Sequence, residues 1–186
     1  MKIFNVFTDK KYSDLGQPKP AKNFIPQWWK DAESELSTGE SGLKRCIPFL
    51  DALMAGYCLT TPYDIFVSKN EDDSLNIGWN APGQYTDFIN ERPEDSGATM
   101  PRPAGHHPNH LVFRSVWGMR TPKGWSLLVT HPLNRHDLPF TTQSGIIDSD
   151  EFSASGNVPF FIKKDFVGVI PAGTPYAQLI PIKRAN

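Results

Sequence analysis

Gly145-Ile146-Ile147-Asp148-Ser149-Asp150-Glu151, then Pro159-Phe160-Phe161-Ile162-Lys163, then Ile170-Pro171-Ala172-Gly173-Thr174-Pro175-Tyr176-Ala177-Gln178-Leu179-Ile180 reads as strand, acidic turn, strand, Pro/Gly turn and strand. Short apolar, β-branched and aromatic runs closed by such turns are strand signals. Asp148 and Asp150 stand two residues apart, so in extended chain they share a face. Such a pair suits a catalytic base with an orienting partner, or a divalent cation held through water. A solvated acidic turn is the plainer alternative.

Outward from this stretch the texture stays β. Residues 110–117, 125–130 and 166–170 are strand-like, and Thr121-Pro122-Lys123-Gly124 is a turn. The chain has 186 residues with 17 Pro and 14 Gly. Proline is excluded from helix interiors and central strands, so this composition favours short strands between shaped turns. Twelve Phe and five Trp supply bulk for the core of a single domain spanning 1–186. Residues 1–22 read as a short strand at 3–7 and an extended polar arm. A helix follows to about Leu36, with Asn23 offering a cap and Pro26 in its first turn. Phe49, Leu50, Leu53 and Met54 fall at helical spacing in a second helix over 48–55, ended by Gly56. Strands are expected at 57–61, 63–69 and 74–80, the last two a hairpin across Asn70-Glu71-Asp72-Asp73. Residues 81–109 form a long irregular loop, of a length that is usually functional or oligomer-embracing.

The net charge is −1 and the Lys/Arg residues form no stripe, which speaks against nucleic acid as a partner. No apolar run approaches the roughly 18–20 residues needed to span a bilayer. Met1-Lys2-Ile3-Phe4-Asn5 lacks the apolar core of a signal peptide, so synthesis in a cytoplasm is expected. Cys46 and Cys58 form no CxxC pair and read as buried thiols in a reducing compartment.

Three of the five histidines lie in Gly105-His106-His107-Pro108-Asn109-His110. Close imidazoles can bind a divalent metal such as zinc. Against this, adjacent His106 and His107 diverge in extended chain, and no Cys or acid completes a known spacing, leaving a polar loop as the alternative. Arg135, in Pro132-Leu133-Asn134-Arg135-His136-Asp137, could clamp a phosphate or carboxylate, or pair with a local acid. Neither a Gly-rich phosphate loop nor a nucleophile elbow is present.

The segments from Gly124 onward resemble the trimeric dUTPase family. Gly145 to Asp150 is similar to its G-[VIL]-I-D-x-D-Y segment, Gly173 to Leu179 to its G-x-x-[IV]-A-Q-[LM] segment, Gly124-Trp125-Ser126-Leu127 to its G-Y-D-L, and Leu133-Asn134-Arg135 to its phosphate-binding R-S-[SG] loop. The resemblance implies a dUTPase-like β-clip over 110–186, within a mainly β fold carrying two short N-terminal helices and a long loop. It also implies a catalytic role for Asp148 and ligand-binding roles for Arg135, Asp150 and Gln178. The departures bear on activity. Glu151 stands where the family has Tyr, Ser126 where it has a metal-holding Asp, and the Gly-rich C-terminal arm is missing. Losing several charge-assisted contacts, each worth about 1.5–3 kcal/mol, should remove triphosphate affinity.

Over nearly its whole length the chain also resembles an uncharacterised domain family of tailed phages and bacteria. Ile25 to Trp28, Cys46 to Tyr57, Thr121 to Ser126, Pro132 to Arg135, Gly145 to Asp150, and Gly173 to Arg184 carry that likeness, with Val158 replacing a Phe. Two functions follow as expectations. The first is a non-catalytic phage-encoded structural or interaction protein, a homotrimer or a partner of other virion proteins, without a cofactor, made in the host cytoplasm and with the virion as a further location. The alternative is a protein binding or hydrolysing a nucleotide- or phosphate-linked small molecule at a degenerate dUTPase-like site.

Overall fold

The computed structural model describes residues 5–81, 85, 87–152 and 155–185. The fold is mainly β. Its strands are β1 (Asn5–Phe7), β2 (Lys19–Pro20), β3 (Tyr57–Thr60), β4 (Ile65–Lys69), β5 (Leu75–Trp79), β6 (Ile89–Glu91), β7 (Leu111–Arg120), β8 (Trp125–Thr130), β9 (Phe140–Thr142), β10 (Gly145–Ile147), β11 (Ser155–Ile162), β12 (Gly168–Ile170) and β13 (Pro175–Lys183). Two α-helices, α1 (Gln27–Asp31) and α2 (Ile47–Met54), lie between β2 and β3. All strand pairs are antiparallel and build three sheets, ordered β1-β7-β11-β9 with β6 also on β7, β10-β8-β13-β3-β2, and β12-β4-β5.

One core joins the sheets. Phe113 of β7 has no exposed surface, and it stacks on Phe160 of β11 with ring centroids 3.7 Å apart. Phe88, Phe140 and Tyr176 close around the pair at 4.5–5.5 Å from Phe113. Tyr176 belongs to β13, so this cluster bonds the first sheet to the second through aromatic contact.

The hairpin β4–β5 forms as the sequence suggests, with Ile65 opposite Trp79. The first helix is shorter than expected. It stops at Asp31 instead of Leu36, because the chain turns into a loop closed by Gly42 N donating to Ser34 O at 3.0 Å and a bridge between Glu35 and Ser41. Pro26, not Asn23, occupies its N-cap, and Asn23 lies in a preceding 3-10 turn. The adjacent tryptophans divide as their spacing requires: Trp29 is buried and stacks on Phe49, while half-buried Trp28 meets Phe49 by its edge. The N-terminal arm is strapped to the sheets through β1, β2 and a bond from Trp117 Nε1 to Leu15 O. Ile3 and Phe4 of its expected strand lie outside the described residues. Gly56 has φ +65°, and a Cβ there would stand 2.0 Å from Leu179 O, so only glycine fits between α2 and β13. Cys58 is buried as expected, its thiol pushed up to about 12 by that burial, but Cys46 is exposed at the N-cap of α2. Both thiols are free. Among the described residues, no helix is long and apolar enough to cross a membrane.

Truncating the centre of the aromatic cluster creates a cavity where both sheets meet. Phe113→Ala should cost about 3–5 kcal/mol by urea unfolding, whereas Phe152→Ala, at a side chain 66% exposed, should change stability by about 0.5 kcal/mol or less. Equal effects from the two would show that the cluster is not the joint.

Candidate functional site

The acidic turn after β10 folds onto the turn before β8. Ser149 is buried, its hydroxyl 2.8 Å from Thr121 Oγ1, and Thr121 in turn donates to Trp125 O at 2.7 Å. This places the two aspartates around the C-terminal Arg184. Ser126 Oγ donates to Asp148 Oδ1 at 2.6 Å, and Arg184 Nη1 lies 3.0 Å from the same oxygen. Arg184 also forks onto Asp150, Nη1 to Oδ1 at 2.9 Å and Nη2 to Oδ2 at 2.5 Å, while Gly124 N donates to Asp150 Oδ2 at 2.8 Å. The side chain of Asp150 is only 4% exposed, that of Asp148 48%. Hydrogen bonds from Arg184 and then from Gly124 N–H hold the Asp150 carboxyl down to about 2, against the opposing effect of burial. The two carboxylates thus act as a clasp on β13's continuation. Arg184 N donates to Gly124 O at 2.9 Å, completing it.

Arg135 and Gln178 lie elsewhere. Gln178 sits opposite Thr130 in the β13–β8 register, whereas Asp148 bonds Ser126 at the other end of β8. Four residues of strand put roughly 13 Å between those levels. Gln178 is 1% exposed and fully committed: Oε1 accepts from Leu133 N at 2.7 Å, and Nε2 donates to Ala52 O at 2.9 Å and Ala55 O at 2.6 Å. Its amide therefore holds the end of α2 to the loop after β8. Arg135 makes a bidentate pair with Asp137, both bonds 2.9 Å, and Nη1 donates to Phe24 O at 3.0 Å. Although burial raises the Asp137 carboxyl, the hydrogen bonds from Arg135 bring it below its ordinary value. A 410 Å³ cleft beside Arg135 shares no residue with the 690 Å³ cleft lined by Lys123, Asp150, Glu151 and Arg184. The structure brings Asp148 and Asp150 together, and it brings neither to Arg135 or Gln178 within one chain.

The three loop histidines face three neighbourhoods. His106 bridges Ala104 O at 2.9 Å and Thr141 Oγ1 at 3.0 Å. Buried His107 is depressed by burial and then by Lys69 of β4. His110 stacks on Phe161 and bonds Gln143. Among the described residues, no group of three or more His, Cys, Asp and Glu side chains is placed to hold a metal ion.

Arg184, which organises the clasp, was not singled out from the sequence, where it is one of two adjacent cations, Lys183 and Arg184, at the end of an apolar strand. His131 lies in the polar loop that also holds Arg135, His136 and Asp137. It is held by Thr142 N donating to Nδ1 at 3.2 Å, which places its proton on Nε2, 3.1 Å from Arg135 O; burial lowers its pKa. Compared with known proteins, the chain matches no family model and no curated protein.

Each cluster generates an outcome. Gln178→Leu removes the side-chain partner of Leu133 N and of two part-buried carbonyls and should cost on the order of 3 kcal/mol in chemical unfolding; a neutral result would place the work of this joint elsewhere. For the clasp, the folded value of Asp150 lies below its ordinary 3.8. Its contribution is therefore fully present above about pH 4 and is lost as pH falls toward about 2. In Arg184→Gln the urea midpoint should be lower than the parent's at pH 7, and the two should converge near pH 2. Parallel curves across that range would dismiss the clasp as a stabilising element.

Proposed function

We propose that this chain is a non-catalytic, phage-encoded interaction protein whose C-terminal half is a dUTPase-like β-clip, working as a homotrimeric assembly module of the virion. The observation that carries the proposal is the fate of the candidate catalytic residues. Asp148 and Asp150 are engaged by Arg184, Ser126 and Gly124, and Arg135 by Asp137 and Phe24. The Asp150 carboxylate is a poor base, because Arg184 and Gly124 already meet its charge and both its oxygens, and Oδ1 of Asp148 is taken up by Ser126 and Arg184. Ser126 sharpens the point. An aspartate there would face Asp148 as a second anion, whereas serine donates to Asp148 and accepts from Arg184 at 3.1 Å.

The fold assignment draws support from strand order. Gly145–Ile147, Trp125–Thr130 and Pro175–Lys183, which carry three of the dUTPase-like segments, are consecutive neighbours β10-β8-β13 in one sheet. Assembly draws support from the three-stranded sheet. Phe66 and Val169 are register partners, 47% and 48% exposed, with Val167 at 59% beside them. Gly78, opposite Phe66, leaves that ring uncovered. A contiguous apolar cross-strand pair at the surface is the kind of patch that interfaces cover.

Light scattering on the purified protein should give the mass of three chains, and Phe66→Glu with Val169→Glu should reduce it to one. Incubation with dUTP and Mg²⁺ should show no hydrolysis, identical in Asp148→Asn, and mass spectrometry of purified virions should detect the chain. Turnover abolished by Asp148→Asn, or a monomeric parent, overturns the proposal.

A further inference from the structure

The geometry points to a separate binding site for a small hydroxylated carboxylate, in the cleft between residues 91–98 and 102–110, with the acid group on Arg102 and a ligand hydroxyl on His110. The cleft measures about 460 Å³, a volume suited to a small polar ligand, and its lining includes Arg92, Arg102, Asn109 and His110 together with Glu91 and Glu94. Its base is fixed by backbone: Arg92 N donates to His110 O at 2.9 Å, next to the β6–β7 pairing.

Two polar atoms there have no partner. Arg102 Nη1 and His110 Nδ1 are both sealed from solvent and make no hydrogen bond. Native proteins rarely leave such groups unmet. His110 is 6% exposed, and its tautomer follows from its neighbours. Gln143 Nε2 contacts Met100 Sδ at 2.9 Å, so Gln143 presents its carbonyl oxygen to His110 Nε2 at 3.0 Å, and Nε2 carries the hydrogen. In the neutral ring Nδ1 then offers a lone pair, which calls for a ligand donor such as a hydroxyl. Arg102 supplies the opposite need. Its planar fork matches a carboxylate or phosphate, and neither it nor Arg92 is in an ion pair among the described residues.

One ring positions both groups. Phe161 carries the Arg102 guanidinium 5.4 Å from its centroid and the His110 imidazole stacked at 5.2 Å. The flexible Arg102 side chain has only to turn toward the opening to present its fork. Charge selects between anions. Glu91 and Glu94 formally balance Arg92 and Arg102, so the cleft has no surplus positive charge to attract a polyphosphate. A singly charged carboxylate with a neighbouring hydroxyl satisfies both orphan atoms. The site lies apart from the clasp and from the exposed sheet face, and it stands or falls without them.

Isothermal titration of the full chain with gluconate, hexanoate, glucose and glucose 6-phosphate tests this. Gluconate should bind saturably and the other three weakly or not at all. Arg102→Gln and His110→Phe should each weaken gluconate binding by about tenfold or more, with the circular dichroism spectrum of Arg102→Gln unchanged. Failure of gluconate to bind, or binding that Arg102→Gln leaves intact, overturns the site. Equal binding of hexanoate removes the hydroxyl role of His110, and preference for glucose 6-phosphate replaces the carboxylate with a phosphate.

Discussion

Phe113 and Phe160 lie face to face at 3.7 Å on neighbouring strands, and Tyr176 reaches them from the other sheet at 4.5 Å from Phe113. Close packing of this kind is intolerant of volume change, so the separation and tilt of the two sheets are fixed where these rings meet. Everything with polar character is then carried at a set distance from that joint. Gln178 and Arg184 both belong to the chain of β13 or its direct continuation, and Tyr176 anchors that strand's first turn of side chains in the core. A shift in β13 would misplace Gln178 from Ala52 and Arg184 from Asp150 together. Burial of Tyr176 also pushes its phenol well above the usual range, so the hydroxyl stays neutral at the joint.

Much of the strand pattern was legible because it rests on local chemistry. The hairpin at Asn70 to Asp73, the strand at 125–130 and the second helix ended by Gly56 each declare themselves through turn residues or periodicity. The strands that the sequence hid are short: Lys19–Pro20, Ile89–Glu91 and Phe140–Thr142. Two or three residues carry no measurable alternation, and these strands exist because a longer neighbour offers an unpaired edge. The same logic explains the early end of α1. Its propensity continues past Asp31, but tertiary closure of the loop through Ser34 and Gly42 outweighs the small gain from another helical turn.

The candidate site was legible in its parts and not in its grouping. Asp148 and Asp150 come to one place because one turn holds them, not because an extended chain gives them a common face. Sequence spacing had no means of separating them from Arg135 and Gln178, because that separation is a property of register: β13 runs antiparallel to β8, placing Gln178 at Thr130 and Ile182 at Ser126. Nor could it pair Asp150 with Arg184, 34 residues away. Which cation reaches a carboxylate is decided by where a strand ends.

Ser126 shows how a single position governs the character of this corner. With one donor and two acceptor lone pairs, its hydroxyl gives a hydrogen to Asp148 and receives one from Arg184, so three side chains close into one hydrogen-bonded unit. A carboxylate in that position could only accept. It would compete with Asp148 for Arg184, and the local excess of negative charge would call for a cation from solution. Metal recruitment and internal closure are thus alternative solutions to the same electrostatic problem, and the choice between them falls to the residue at the start of β8. Serine there, combined with an arginine delivered by β13, gives the internally closed arrangement, in which the corner holds the chain together.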